Sequence, residues 1–187
     1  IVRLPVEALS EVERSGVPVV MLYELPAESP LHRVGMDNEA VGRVAAARLG
    51  KLEPASFACF GPDTPFAATR RRAFAEALCG GGEEDDVEPA WCPAEASEAR
   101  VVAWLRGLPK PVNVLAGNDE AGLRLANLCR AAGCDVPEDV AILGVDNDEL
   151  LCELCDPPLS SIAVPAERVG YEAAALLSRL LAGDAEA

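Results

Sequence analysis

Between Val140 and Glu149 an uninterrupted apolar run, Val140-Ala141-Ile142-Leu143-Gly144-Val145, stops at Asp146-Asn147-Asp148-Glu149. A short apolar run without alternation is the pattern of a strand buried on both faces, as in a parallel sheet covered by helices. In open α/β sheets, ligands occupy the crevice beyond the carboxyl ends of such strands. The polar cluster at this end therefore has two readings. Asp146 or Asn147 caps the turn or the next helix, or Asp146 contacts a ligand.

The rest of the chain repeats the alternation of strand and helix. Leu4 to Ser15 carries apolar residues near helical spacing and stops at Gly16. Val17 to Tyr23 follows as a strand with Pro18 near its start. Val34-Gly35-Met36 reads as a short strand leading to Asp37, the expected N-cap of a helix that turns Val41, Ala45, Ala46 and Leu49 to one side. Further strands are expected at Phe57–Gly61, within Glu88–Cys92, at Pro111–Gly117 and over Leu159–Val164, and helices from about Ala67 to Leu78, Ser97 to Leu105, Asn118 to Gly133, Leu150 to Cys155 and Pro165 to Leu181. Three glycines and four acids at Gly80–Asp86 form a solvated connector. The fold class that follows is α/β with a mostly parallel sheet flanked by helices.

Composition removes several function classes. The 187 residues carry a formal net charge of -15, which argues against this chain gripping phosphate backbones by itself. Seven cysteines, an odd number, stand in apolar contexts such as Phe57-Ala58-Cys59-Phe60, which fits free buried thiols in a reducing, cytoplasmic compartment better than a disulfide framework. No apolar run approaches membrane-spanning length. The chain opens on Ile1 inside a helical pattern and is expected to be part of a longer protein.

Catalysis has little support. His32, the one histidine, lies in a proline-flanked loop without a Ser or Cys partner at a recognisable spacing, and no glycine loop follows a strand in a phosphate-binding pattern. Cys152-Glu153-Leu154-Cys155 is a CxxC, but Cys129 and Cys134 have the wrong spacing to complete a zinc ribbon. No metal or cofactor is expected, and no enzymatic activity.

Binding is better supported. Tyr23-Glu24, Asn118-Asp119 and Asp146-Asn147 each follow a strand, Arg70 lies on the helix after Gly61, and Trp91 stands in an extended segment. Carboxylate, carboxamide and guanidinium groups beside one flat aromatic face suit a sugar, whose hydroxyls need donors and acceptors and whose ring has an apolar face. The candidate ligand residues are Arg70, Trp91, Asn118, Asp146, Tyr23 and Glu24. Each has a plainer alternative: Arg70 belongs to Arg70-Arg71-Arg72, which reads equally as a solvated helix face, Trp91 as core and Asn118 as an N-cap.

Val34-Gly35-Met36-Asp37-Asn38-Glu39, Arg70-Arg71-Arg72-Ala73-Phe74, Ala116-Gly117-Asn118-Asp119 and Val136 to Asn147 running on to Pro157-Pro158-Leu159-Ser160-Ser161-Ile162 occur in one order. With these motifs the chain resembles the effector-sensing core of the LacI/GalR family, of the type I periplasmic-binding-protein-like fold. Leu143 to Glu149 with Cys152-Glu153-Leu154 makes it most similar to the xylose-operon regulators of the XylR type, in which a sensor precedes an AraC-type DNA-binding domain. The resemblance implies a two-lobed sensor that closes on a small sugar and alters DNA binding by a domain outside this chain, in a homodimer. It also implies chain crossings near Met36 and Val164. Residues 1–36 then form a partial first lobe, 37–164 the second lobe, and 165–187 a helix returning to the first. Arg70, Asn118 and Asp146 match the family's ligand positions, and Trp91 matches a stacking aromatic. Where sugar-binding relatives often carry Asp after the Val-Pro strand, this chain has Tyr23 and Glu24. The alternative is a periplasmic sugar-binding protein of a transport system, which shares the fold.

Overall fold

The computed structural model describes residues 6–22, 29–52, 54–79 and 88–183. Two compact units emerge, one of Ile1–Met36 with Pro165–Ala187 and one of Asp37–Val164.

In the first unit, α1 (Val6–Ser15) precedes β1 (Val20–Met21), which pairs in parallel with β2 (His32–Arg33), and α7 (Ala166–Leu181) packs against β1. Two expectations shift here. The strand expected over Val17–Tyr23 is reduced to the two residues that find a partner, and the strand expected at Val34–Met36 lies earlier, which puts His32 in a strand rather than a loop. The Val34 amide still donates to the Met21 carbonyl at 2.9 Å, so pairing ends there and Gly35-Met36 serves as the connection to Asp37. Tyr23 and Glu24 lie outside the described residues, as does the acidic Gly-rich connector.

The second unit contains α2 (Asn38–Leu49), β3 (Ser56–Gly61), α3 (Pro65–Leu78), β4 (Ala90–Pro93), α4 (Glu98–Gly107), β5 (Val112–Ala116), α5 (Asp119–Ala132), β6 (Val140–Asp146), α6 (Glu149–Leu154) and β7 (Ser160–Ala163). Its five strands are all parallel in the order β4-β3-β5-β6-β7. The chain begins the sheet at β3, moves to one edge at β4, then crosses back to β5. The carboxyl ends of β3 and β5 thus flank the point where strand order reverses, the position at which open sheets part to form a crevice.

Both faces of the sheet are covered, which explains the continuous apolar strands. Ala58, Phe60, Val112, Val114, Ala116, Val140 and Ile142 pack with Val101 and Leu105 of α4 and Leu125, Leu128 and Cys129 of α5. The alternate residues Cys59, Leu115, Leu143 and Val145 pack with Val41, Ala45, Ala46 and Leu49 of α2 and Phe74 of α3. On this side Asn113, a buried polar side chain, donates to the Leu49 carbonyl at 2.7 Å and so satisfies the end of α2.

Helices α2 and α3 approach closely at Gly42. A Cβ there would stand 2.5 Å from the Arg70 carbonyl oxygen and 2.8 Å from the Phe74 nitrogen, backbone atoms that cannot swing aside. Gly42→Ala should therefore destabilise the second unit by about 1–3 kcal/mol, despite alanine's better helix propensity. A lowered midpoint in urea denaturation is the expected result.

Candidate functional site

The three consecutive arginines of α3 go to three environments. Arg72 is exposed and pairs with Glu39 and Glu76. The Arg71 guanidinium lies 4.3 Å from the centre of the Trp91 ring. Arg70 points inward and is only 2 % exposed, which rules out the solvated-face reading for this one residue. A buried guanidinium needs acceptors on every side. Its Nε donates to Asn38 Oδ1 at 2.9 Å, its Nη1 to the Gly117 carbonyl at 2.5 Å, and its Nη2 lies 4.0 Å from Asp146 Oδ1. The Phe66 ring lies 5.0 Å beneath the cation.

These oxygens come from three places. Asn38 opens α2, whose N-cap is Asp37 with its side chain accepting from the Ala40 amide. Gly117 follows β5 at the reversal of strand order. Asn118 follows it and caps α5, with Oδ1 accepting from the Ala121 amide at 2.9 Å. The cap thus engages the carboxamide oxygen, not its nitrogen. Asp146 ends β6.

Asp146 does not cap the helix that follows it. Asp148, not Asp146 or Asn147, is the N-cap of α6, accepting from the Leu151 amide at 3.1 Å. Asp146 instead has φ 114 and Asn147 φ 56, both in the region that non-glycine residues rarely enter. Burial pushes the Asp146 carboxyl above its ordinary value, Arg70 pulls it down, and the nearby Asp119 and Asp148 add to the rise. Asp146 is still partly exposed, so the carboxylate faces solvent with a buried cation behind it.

The structure does not bring Trp91 to this group. Its register partner is Cys59, level with Leu115 and Leu143, well short of the strand ends. With strands about 4.8 Å apart, it lies roughly 10 Å across the sheet from β5 and 14 Å from β6. There it fills the layer beside α2 and α3, under Arg71. Trp91, the aromatic expected to stack on a ligand, thus packs partly buried at the sheet edge, apart from the Arg70–Asp146 group.

Sequence reading missed Asn38 as an acceptor for Arg70, and the Gly117 carbonyl, which no side-chain pattern could signal. It also missed Asp119, a carboxylate at the start of α5 that is 1 % exposed.

Cys59, Cys92, Cys129, Cys134, Cys152 and Cys155 are free thiols. Burial pushes Cys59 and Cys129 up to about 12 and Cys152 up to about 11, so they are protonated at neutral pH. Among the described residues no group of three or more His, Cys, Asp or Glu is arranged to hold a metal, and no helix is long and apolar enough to cross a membrane.

Comparison with known proteins agrees with this geometry. A family model described as a periplasmic binding protein-like domain matches residues 46–187. The chain belongs to that family. It is 33 % identical over 185 residues to the xylose operon regulatory protein of Escherichia coli K12, covering 94 % of this chain and 47 % of the relative. It is 32 % identical over 185 residues to the HTH-type transcriptional repressor CytR of the same strain, covering 94 % of this chain and 52 % of the relative. The chain therefore spans about half the length of the curated relatives it matches. Among solved structures, a LacI family transcriptional regulator from Enterococcus faecium with bound ribose superposes with a TM-score of 0.79 at 27 % identity, over 95 % of this chain and 67 % of that one. The relatives are transcriptional regulators, and the α/β fold with a parallel sheet between helices is that of the family.

The raised Asp146 value has a consequence for stability. The folded chain holds this proton more tightly than the unfolded one. The group favours folding below its ordinary value of 3.8, and that contribution is lost as the pH rises through the folded value. The Asp146→Asn protein should accordingly melt at a higher temperature than the unsubstituted protein at pH 7. The difference should shrink as the pH is lowered toward 3.8. Thermal unfolding followed across that range is the measurement.

Proposed function

We propose that this chain is the effector-sensing part of a DNA-binding transcriptional regulator, and that its effector is a sugar of the xylose class. The observation that carries the reading is the Arg70–Asp146 arrangement at the carboxyl ends of β5 and β6. A cation and a carboxylate 4.0 Å apart are too distant for a direct hydrogen bond. A hydroxyl seated beside this pair accepts from the guanidinium and donates to the carboxylate, and the amide nitrogen of Asn118 is a further donor at the adjoining strand end. Neighbouring hydroxyls with this dual character are what a sugar offers. The names of the relatives add support: a xylose operon regulator, and a LacI family regulator holding ribose.

In this reading Arg70, Asn118 and Asp146 contact the sugar. Tyr23 and Glu24 are proposed to contribute from residues 1–36, the portion assigned to the first lobe, with 37–164 as the second lobe and 165–187 returning to the first. DNA is contacted by an AraC-type domain outside this chain, in a cytoplasmic homodimer. Free thiols at Cys59, Cys92, Cys129, Cys134, Cys152 and Cys155 fit a reducing compartment and favour this reading over a secreted transport component. The sugar acts by its differential affinity for two arrangements of the regulator, and only that difference reaches the DNA-binding domain.

Isothermal titration calorimetry on the intact protein with D-xylose, D-ribose and hexoses should give saturable binding to a pentose. Asp146→Ala should weaken it by about 1–3 kcal/mol, a factor of roughly 5 to 150, because a charged hydrogen-bonding partner is removed from a buried contact. Undiminished binding by that protein would take Asp146 out of the site. Absence of binding to every sugar tested would overturn the sugar reading.

A further inference from the structure

Asp119 is the most buried carboxylate among the described residues, and no lysine, arginine or histidine among them forms an ion pair with it. An unpaired buried charge is tolerated only where donors converge on it. Ser161 Oγ donates to its Oδ1 at 2.6 Å, the Asp148 amide donates to its Oδ2 at 2.7 Å, and Cys152 Sγ lies 3.7 Å from Oδ2. The Asn147 amide in turn donates to Ser161 Oγ at 3.0 Å. Two successive amides of the turn after β6 are thus gathered by one carboxylate, one directly and one through a hydroxyl.

That turn is the one that carries Asp146 and Asn147 at φ 114 and 56. Backbone in such a region persists only where its surroundings over-determine it. The surroundings are built for the purpose. Gly144 stands opposite Ser161 in the sheet, and a Cβ on it would lie 2.2 Å from Asp119 Oδ1. The carboxylate reaches its place beneath β6 only because that position has no side chain.

We infer that Asp119 is a positioning residue: through the Asp148 amide and Ser161 it holds the turn in the shape that presents Asp146 beside Arg70. The inference rests on the sugar-sensing reading for its consequence, but not for its geometry. Asp119 touches no ligand in this account. It acts on affinity through Asp146, a role distinct from that of the nearby N-caps Asn118 and Asp148, which serve their own helices.

The test uses the intact protein with Ser161→Ala, Asp119→Asn and the conservative Ser161→Thr, each in the native and Asp146→Ala backgrounds. Without ligand, amide hydrogen exchange at Asn147 and Asp148 should speed up by roughly tenfold or more in Ser161→Ala and Asp119→Asn, since each loses a link of the chain. Val114 and Leu115 in β5 should keep their protection, and Ser161→Thr, which retains the hydroxyl, should resemble the unsubstituted protein. With D-xylose and D-ribose as probes, the first two substitutions should weaken the binding pentose about tenfold when Asp146 is present and less than about twofold when it is Ala, the non-additivity expected of residues acting as one unit. Unchanged exchange at Asn147 and Asp148, or equal losses of affinity in both backgrounds, would overturn the inference. If neither pentose binds the unsubstituted protein, the sugar reading fails by itself, and the exchange result alone upholds or rejects the positioning role. Should Asp119→Asn not fold, the Ser161 pair carries the same comparison.

Discussion

The buried guanidinium of Arg70 is the interaction on which the second unit's functional end depends. A cation removed from water must be surrounded by acceptors or be expelled, and this one donates to the first turn of α2 and to the carbonyl after β5, with the carboxylate at the end of β6 4.0 Å away. Those segments are far apart in sequence. The close packing of α2 on α3 at Gly42 is part of the same requirement, because only when the two helices nearly touch does Asn38 come within 2.9 Å of the Arg70 Nε.

The two carboxylates nearest this centre divide the work by their solvation. Asp119 is sealed from water and its oxygens are engaged by donors from the β6–α6 turn and from β7. Asp146 is partly exposed, backed by a cation, and carried on backbone in an uncommon conformation. One charge is spent on shape and the other is left facing solvent at a strand end. This division matches the general pattern of a ligand site, in which a few polar groups are fixed by a supporting layer behind them.

Much of the architecture was legible in the chain. The strands at Phe57–Gly61, Pro111–Gly117 and Val140–Val145 fall within a residue or two of those observed, because strands covered on both faces leave a continuous apolar signature. Asp37 and Asn118 mark helix starts, and Gly133 ends α5, since caps are local chemistry. Less was legible in the first unit. Two-residue strands carry no periodicity, so β1 and β2 were set by pairing rather than pattern, and the expected strand at Val34–Met36 proved to be a connection.

The candidate site divides in the same way. The sequence by itself determined that polar residues close the buried strands of a parallel sheet, and therefore that Asn118 and Asp146 stand at strand ends, with Arg70 on the helix after Gly61. It also determined the apolar layers that hold those ends in place. Only the tertiary structure decided which of three consecutive arginines turns inward, that Trp91 packs at the sheet edge away from the strand ends, and that Asp148 rather than Asp146 caps α6. The same holds for Asp119, whose acidity at a helix start looks like ordinary dipole compensation until Ser161 and the Asp148 amide are seen to close on it. The physical reason is range. Burial pattern and capping are written in residues three or four apart, whereas the partners of a buried charge are chosen across strands and helices that meet only when the chain has folded.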